Sequence, residues 1–300
     1  MKVAVDNGLR QIAMVFDSPL EFLKSLRPDQ IQAMATGLNE NPHWFGCPSF
    51  QAFISRINRG DDDLVAKYKN TKPTLKTPPK SMVKCVRRYG DSGTSFHMAR
   101  YMEGMESFMS KTKPNVDDVA NSKAKVVTVF NNISENCHVH ASEMFHRSLA
   151  CLTAIRAYQT RNLPTRLSIV ATGKNMIKDE NFDYWSVITK VDIKVPSDPI
   201  VPSKLLQFAT PYFFRAAMVR VFSNKPFYNA YDWSAHFDGQ SKSFNTTWGV
   251  GSSVRIDFFS EKIKQFLGIT KHSVIFEHGE CLSEFAAKRK LKDLGIDTKK

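Results

Sequence analysis

The sequence predicts an α/β fold, an open sheet covered by helices, with a mostly helical and basic N-terminal region ahead of it. Three observations carry that expectation. From Lys125 onward, apolar runs alternate with amphipathic stretches, the grammar of a sheet whose strands are joined by helices. Before that point helix starts and stops dominate, as at Ser18 and Gly60. The basic character gathers there too: residues 64–125 hold 13 Lys/Arg against 5 Asp/Glu, a local +8. The expected division is therefore 1–122 for the N-terminal region and 123–300 for the α/β domain.

Taken in order, Gln11 to Phe16 is a short apolar run suited to a strand. Ser18, Pro19 and Glu21 then form a helix start, with Ser18 as N-cap and Glu21 reaching back. Further helices are expected over Asp29–Leu38, over Ser49–Arg59 up to Gly60, and near Phe96–Met109. Val126 to Phe130 reads as a strand buried on both faces, and Ser142 to Arg161 as a long amphipathic helix. Arg166 to Thr172 follows as a second strand, which makes a right-handed βαβ unit. Strands over Trp185–Val195, Ser252–Phe258 and His272–Phe276 and a helix over Ser203–Arg220 continue the pattern. Two last helices, near Ser260–Leu267 and Glu280–Leu294, each close on a glycine, Gly268 and Gly295.

Composition narrows the function. The 300 residues are 42% hydrophobic, enough for a sizeable core, and carry a net charge of +13. A pI near 9.5 points to a polyanion rather than a neutral small molecule. Five scattered cysteines without a C-x-x-C pair favour reduced thiols and a cytoplasmic setting. Neither a signal peptide nor an apolar run of about 20 residues is visible, so nucleic acid is a better anionic partner than membrane lipid.

The strongest signal is the stretch Lys67, Lys69, Lys72, Lys76, Lys80, Lys84, Arg87 and Arg88, which contains no acidic residue. Pro73, Pro78 and Pro79 interrupt it, so it is not the wet face of a regular helix. It fits either a phosphate-gripping segment or a solvated linker. Its companion is aromatic: residues 208–248 contain twelve aromatic side chains. Within them Tyr228, Tyr231, Trp233 and Phe237 lie in a run without helical periodicity. Such rings either stack on unpaired bases or fold over the sheet as core.

Catalytic signals are weak. Gly90-Asp91-Ser92-Gly93 has no His and Asp partners for a protease, and Gly173-Lys174 lacks the other residues of a phosphate loop. Cys137, His138, His140 and His146 do not have zinc-ligand spacing. No catalytic residue, metal or cofactor is expected. The loop Asn131-Asn132-Ile133-Ser134-Glu135-Asn136 follows the strand at 126–130, and ligands gather at the carboxyl ends of strands in open sheets. It resembles the first motif of von Willebrand factor A-type domains, with Asn132, Ser134 and Asn136 at the Asp-x-Ser-x-Ser positions. That resemblance implies a Rossmann-like sheet. Because the first position lacks a carboxylate, it also implies a degenerate metal site.

A second resemblance covers the N-terminal part. Asp17-Ser18-Pro19-Leu20-Glu21-Phe22-Leu23 and Pro42-His43-Trp44-Phe45-Gly46 resemble a group of tailed-phage proteins. Among these are early proteins of podophages with a virion RNA polymerase, which bind single-stranded DNA and recruit a second phage RNA polymerase. The resemblance implies a non-enzymatic single-stranded-DNA-binding cofactor in transcription or replication, acting in the host cytoplasm. Its partners would be single-stranded nucleic acid, DNA favoured, and a phage RNA polymerase. The competing expectation is an A-type protein-interaction module that docks an acidic partner.

Overall fold

The computed structural model describes residues 1–25, 126–135, 138–161, 163–197, 233–237, 242–246 and 253–299. It also describes the backbone of strands at 72–75, 85–90, 95–96 and 109–114, and single positions between these segments.

Strand β1 (Lys2–Asp6) pairs antiparallel with β2 (Gln11–Phe16), every residue of which is buried. A short helix, α1 (Pro19–Lys24), starts as expected: the Ser18 hydroxyl accepts the Glu21 N–H at 3.1 Å. The reciprocal half of the cap differs, because Glu21 accepts the N–H of Asp17 at 2.6 Å rather than that of Ser18. Four strands follow, β3 (Lys72–Leu75), β4 (Cys85–Gly90), β5 (Ser95–Phe96) and β6 (Met109–Pro114). Then come β7 (Val127–Asn132), α2 (Ala141–Gln159), β8 (Thr165–Asp179) and β9 (Tyr184–Lys194). The chain ends with β10 (Phe244–Thr246), α3 (Glu261–Phe266), β11 (Val274–Phe276), α4 (Glu284–Asp293) and β12 (Ile296–Lys299).

The main sheet runs β1-β2-β9-β8-β7-β11, and β10 joins β8. Pairing is mixed: β2 with β9, β7 with β8 and β11 with β7 are parallel, the rest antiparallel. Strand β8 spans 15 residues because its two halves have different neighbours. Residues 165–170 pair with β7, whereas 177–179 pair with β10. Alternation along the strands divides the core. On one face Val127 and Val129 pack with α2 and α4, while Ile12, Met14 and Phe16 pack with Phe22 and Phe213. On the other, Ala13, Val15, Phe130, Val170 and Ile188 meet Ile263 and Leu267 around α3. The result is an α/β sheet covered on both faces.

Several expectations change. Six strands, β1 to β6, lie in the region expected to be mostly helical. Strand β2 sits beside β9, so the main sheet draws on both sides of the expected boundary at 122. Pairing between segments so far apart leaves no local periodicity to read. Residues Ile256–Phe258 form a 3₁₀ turn, not part of a strand, because Gln11 holds that segment from the side. Its amide donates to Phe258 O at 3.3 Å and its carbonyl accepts the Ser260 N–H at 2.8 Å. The helices expected at 29–38 and 203–220 lie outside the described residues, apart from single positions such as Phe213 and Arg215.

Candidate functional site

The carboxyl ends of β7 and β11 and the middle of β8 converge on one polar cluster. Asn132, the last residue of β7, is fully buried. Its Oδ1 accepts the Ser134 N–H at 3.2 Å, and its Nδ2 donates to Val254 O at 3.0 Å and Glu277 Oε2 at 3.2 Å. The two backbone partners fix which way the amide faces. Ser134 Oγ accepts the Thr172 N–H at 2.6 Å, and Thr172 Oγ1 donates to Val254 O at 2.5 Å. Glu277 receives the Ile256 N–H on both oxygens, at 3.0 and 3.1 Å.

Those contacts bear on the metal expectation at Asn132 and Ser134. An amide N–H, not an oxygen, faces the Glu277 carboxylate, and the oxygens of Asn132 and Ser134 hold the loop together. The donor set does not suit a hard cation, which needs several converging oxygens. Among the described residues no group of three His, Cys, Asp or Glu side chains is placed to hold a metal. Asn136 lies outside the described residues.

Beside this cluster lies a buried charge triad. Glu135 and Arg147 form an ion pair, each side chain about 1% exposed. Arg147 also donates to Glu277 O at 3.1 Å, tying α2 to the end of β11. The second Glu135 oxygen faces His278 Nδ1 at 3.2 Å, and the same nitrogen lies 3.2 Å from Ser134 O. The backbone of Gly279, at φ +76°, turns its N–H onto Glu135 Oε1 at 2.9 Å. Burial alone would raise the Glu135 pKa, but His278, Arg147 and Gly279 together hold it below the ordinary carboxylate value. The hydrogen bond to Glu135 raises His278, against the opposing effect of its partial burial. Two acceptors facing Nδ1 assign it the proton. Cys281 is pushed up to about 11 by burial, with Glu280 adding to the shift, so this thiol is not a poised nucleophile.

The loop after β7 follows a strand, as the sequence predicts, whereas Glu135, Arg147, Glu277 and His278 carry no sequence motif that marks them. The loop Glu277-His278-Gly279-Glu280 follows the strand expected at 272–276, and the carboxyl-end rule applied there would have found it.

The expected nucleic-acid residues fall into separate groups. Trp233 and Phe237 are core: they are 2% and 7% exposed, and both rings contact Trp185 or Phe244. Apolar burial wins over solvent presentation, so neither ring is available to stack on a base. Tyr228 and Tyr231, and likewise Lys67, Lys69, Lys76, Lys80 and Lys84, lie outside the described residues. Lys72 is in β3, and Arg87 and Arg88 are in β4. The backbone register sets Arg88 opposite Lys111, Arg87 opposite Thr112 and Val86 opposite Lys113. In the other small sheet Lys72 stands opposite Lys299, and Pro73 is tolerated because β3 has a single strand neighbour among the described residues.

The family model described as "Domain of unknown function (DUF7192)" matches residues 4–298. The chain belongs to this family. Neither a curated protein nor a solved structure matches it. The DUF7192 match spans β1 through β12 almost entirely, so the basic strands and the main sheet fall within one family unit. Among the described residues no helix is long and apolar enough to cross a membrane.

Proposed function

We propose that this chain is a non-enzymatic single-stranded nucleic-acid-binding protein, with DNA the favoured ligand. The observation that carries the reading is the cross-strand register of the basic strands. Like charges directly opposite one another destabilise a strand pair, yet Arg88 faces Lys111 and Lys72 faces Lys299 across the ladders. Basic residues set opposite one another in the backbone register suit an anionic ligand, and a net charge of +13 supplies the long-range attraction. The polar groups at the carboxyl edge support binding over catalysis, since Glu277 and Glu135 are engaged by backbone N–H groups and Arg147. The resemblance to phage polymerase cofactors supports a role in transcription or replication, with an RNA polymerase as protein partner.

Arg87→Ala/Arg88→Ala tests the reading by anisotropy titration with a labelled oligonucleotide. The expected result is weaker binding together with a salt slope shallower by about 1.4, two phosphate contacts at roughly 0.7 each. Unchanged affinity and slope in the folded variant would remove these strands from the interface.

A second reading, an A-type module that docks an acidic protein, is favoured by the placement of Asn132 and Ser134 at the carboxyl end of β7. It expects no shift of any oligonucleotide at moderate salt.

A further inference from the structure

The turn between β8 and β9 is built unlike an ordinary exposed hairpin. Phe182 sits at its tip with φ +66°, a left-handed conformation that favours glycine or asparagine. Its side chain is nevertheless 74% exposed, so no core contact compensates for the strain. The surrounding turn is held firmly instead. Asp179 Oδ1 accepts the N–H groups of Asn181 and Asp183, each at 3.0 Å. Its Oδ2 accepts Trp185 Nε1 and Lys242 Nζ, each at 3.1 Å. The Phe182 N–H donates to Asp179 O at 3.0 Å, closing the turn. Burial opposes ionisation of Asp179, but these donors outweigh it and hold its pKa low, so the carboxylate keeps all its partners.

Cations interleave with rings along this end of the molecule. Lys178 Nζ lies 4.9 Å from the Phe182 ring centroid and 4.8 Å from that of Tyr184, itself 39% exposed. Four residues earlier, Lys174 Nζ lies 5.5 Å from the ring of Phe258, also 39% exposed. The acidic neighbours are largely neutralised within the molecule: Asp183 pairs with Arg10 at 3.0 Å and Asp179 with Lys242 at 3.1 Å. Glu180, within the turn, is exposed.

We infer that the β8–β9 hairpin tip is a base-stacking platform, on which Phe182 and Tyr184 take unpaired bases while Lys178 and Lys174 follow the phosphates. Strain kept at an exposed ring, a pre-formed turn beneath it and lysines beside it are what a stacking site requires. The platform supplies the exposed rings that Trp233 and Phe237 do not. It rests on the single-strand reading given above.

The test compares wild type, Phe182→Tyr and Phe182→Gly on a single-stranded oligonucleotide and on its abasic counterpart of equal length. Glycine relieves the backbone strain, so Phe182→Gly folds with unchanged or raised Tm and any loss belongs to the ring. The expected result is at least a fivefold loss on the normal strand, the low end of ring–base stacking, with none on the abasic strand and with Phe182→Tyr near wild type. Equal affinity of Phe182→Gly and wild type for the normal strand overturns the platform but leaves the single-strand reading standing. So does a loss of the same size on the abasic strand. Absence of wild-type binding to either strand overturns both.

Discussion

At the scale of single residues the Glu135–Arg147–His278 triad makes the sharpest claims. Arg147 is 1% exposed and compensates a carboxylate buried to the same degree. Replacing it by Met removes the compensation, and the expected loss is about 3–5 kcal/mol in urea unfolding, as for other broken buried pairs. His278 gives a pH dependence with a definite sign. Its folded pKa is raised above the ordinary 6.5, so its contribution is complete below that value and is lost as pH rises through the folded value. Glu135 is lowered from 4.5, so its contribution is complete above that value and is lost as pH falls through the folded one. Stability from this pair is greatest between 4.5 and 6.5, and His278→Ala is expected to flatten the fall in Tm above pH 6.5. Parallel Tm curves for wild type and His278→Ala would contradict the coupling. The position of the loop after β7 at a strand end is legible in the sequence, because an apolar run precedes it. The pairing of Glu135 with Arg147 and His278 is not, because it depends on how α2 and the end of β11 fold onto that loop.

At the scale of elements, what the sequence shows best is what is locally encoded. The Ser18 cap, the β7–α2–β8 succession and the two helices ending at Gly268 and Gly295 all appear, with boundaries shifted by a few residues. Gly268 and Gly295 have φ of +77° and +73°, as their place after a helix requires. A Cβ at Gly268 would meet nothing within 4 Å. Gly268→Ala therefore isolates backbone strain, and a loss of about 1–2 kcal/mol is expected by thermal or urea unfolding. A neutral substitution would mean that the segment relaxes out of the left-handed conformation. Elements defined by distant partners escaped sequence reading. Strand β8 continues past Gly173 through Lys174-Asn175-Met176, which is not an apolar run: its register against β9 shifts there, and pairing resumes from Ile177 with β9 and β10. The rings of Trp233 and Phe237 looked like loop aromatics for lack of a helical stripe, yet they fill the core beside Trp185 and Phe244.

At the scale of the whole molecule, a strongly cationic chain is built on an α/β sheet whose polar groups are hydrogen-bonded internally at its carboxyl edge. The carboxyl edge, where such sheets commonly hold ligands, is closed by hydrogen bonds between Asn132, Thr172, Glu277 and the segment 254–256. The basic residues set opposite one another in register belong to the small sheets of β3 with β12 and of β4 with β6. Counterion release makes binding through such cations steeply dependent on salt and only weakly dependent on sequence. The most direct measurement is a titration of the full chain with labelled single-stranded DNA and with a duplex of equal length over a series of salt concentrations. The expected result is tighter binding of the single strand, with log K falling linearly as log salt rises. Absence of binding to single-stranded DNA at low salt, or binding indifferent to salt, would contradict it.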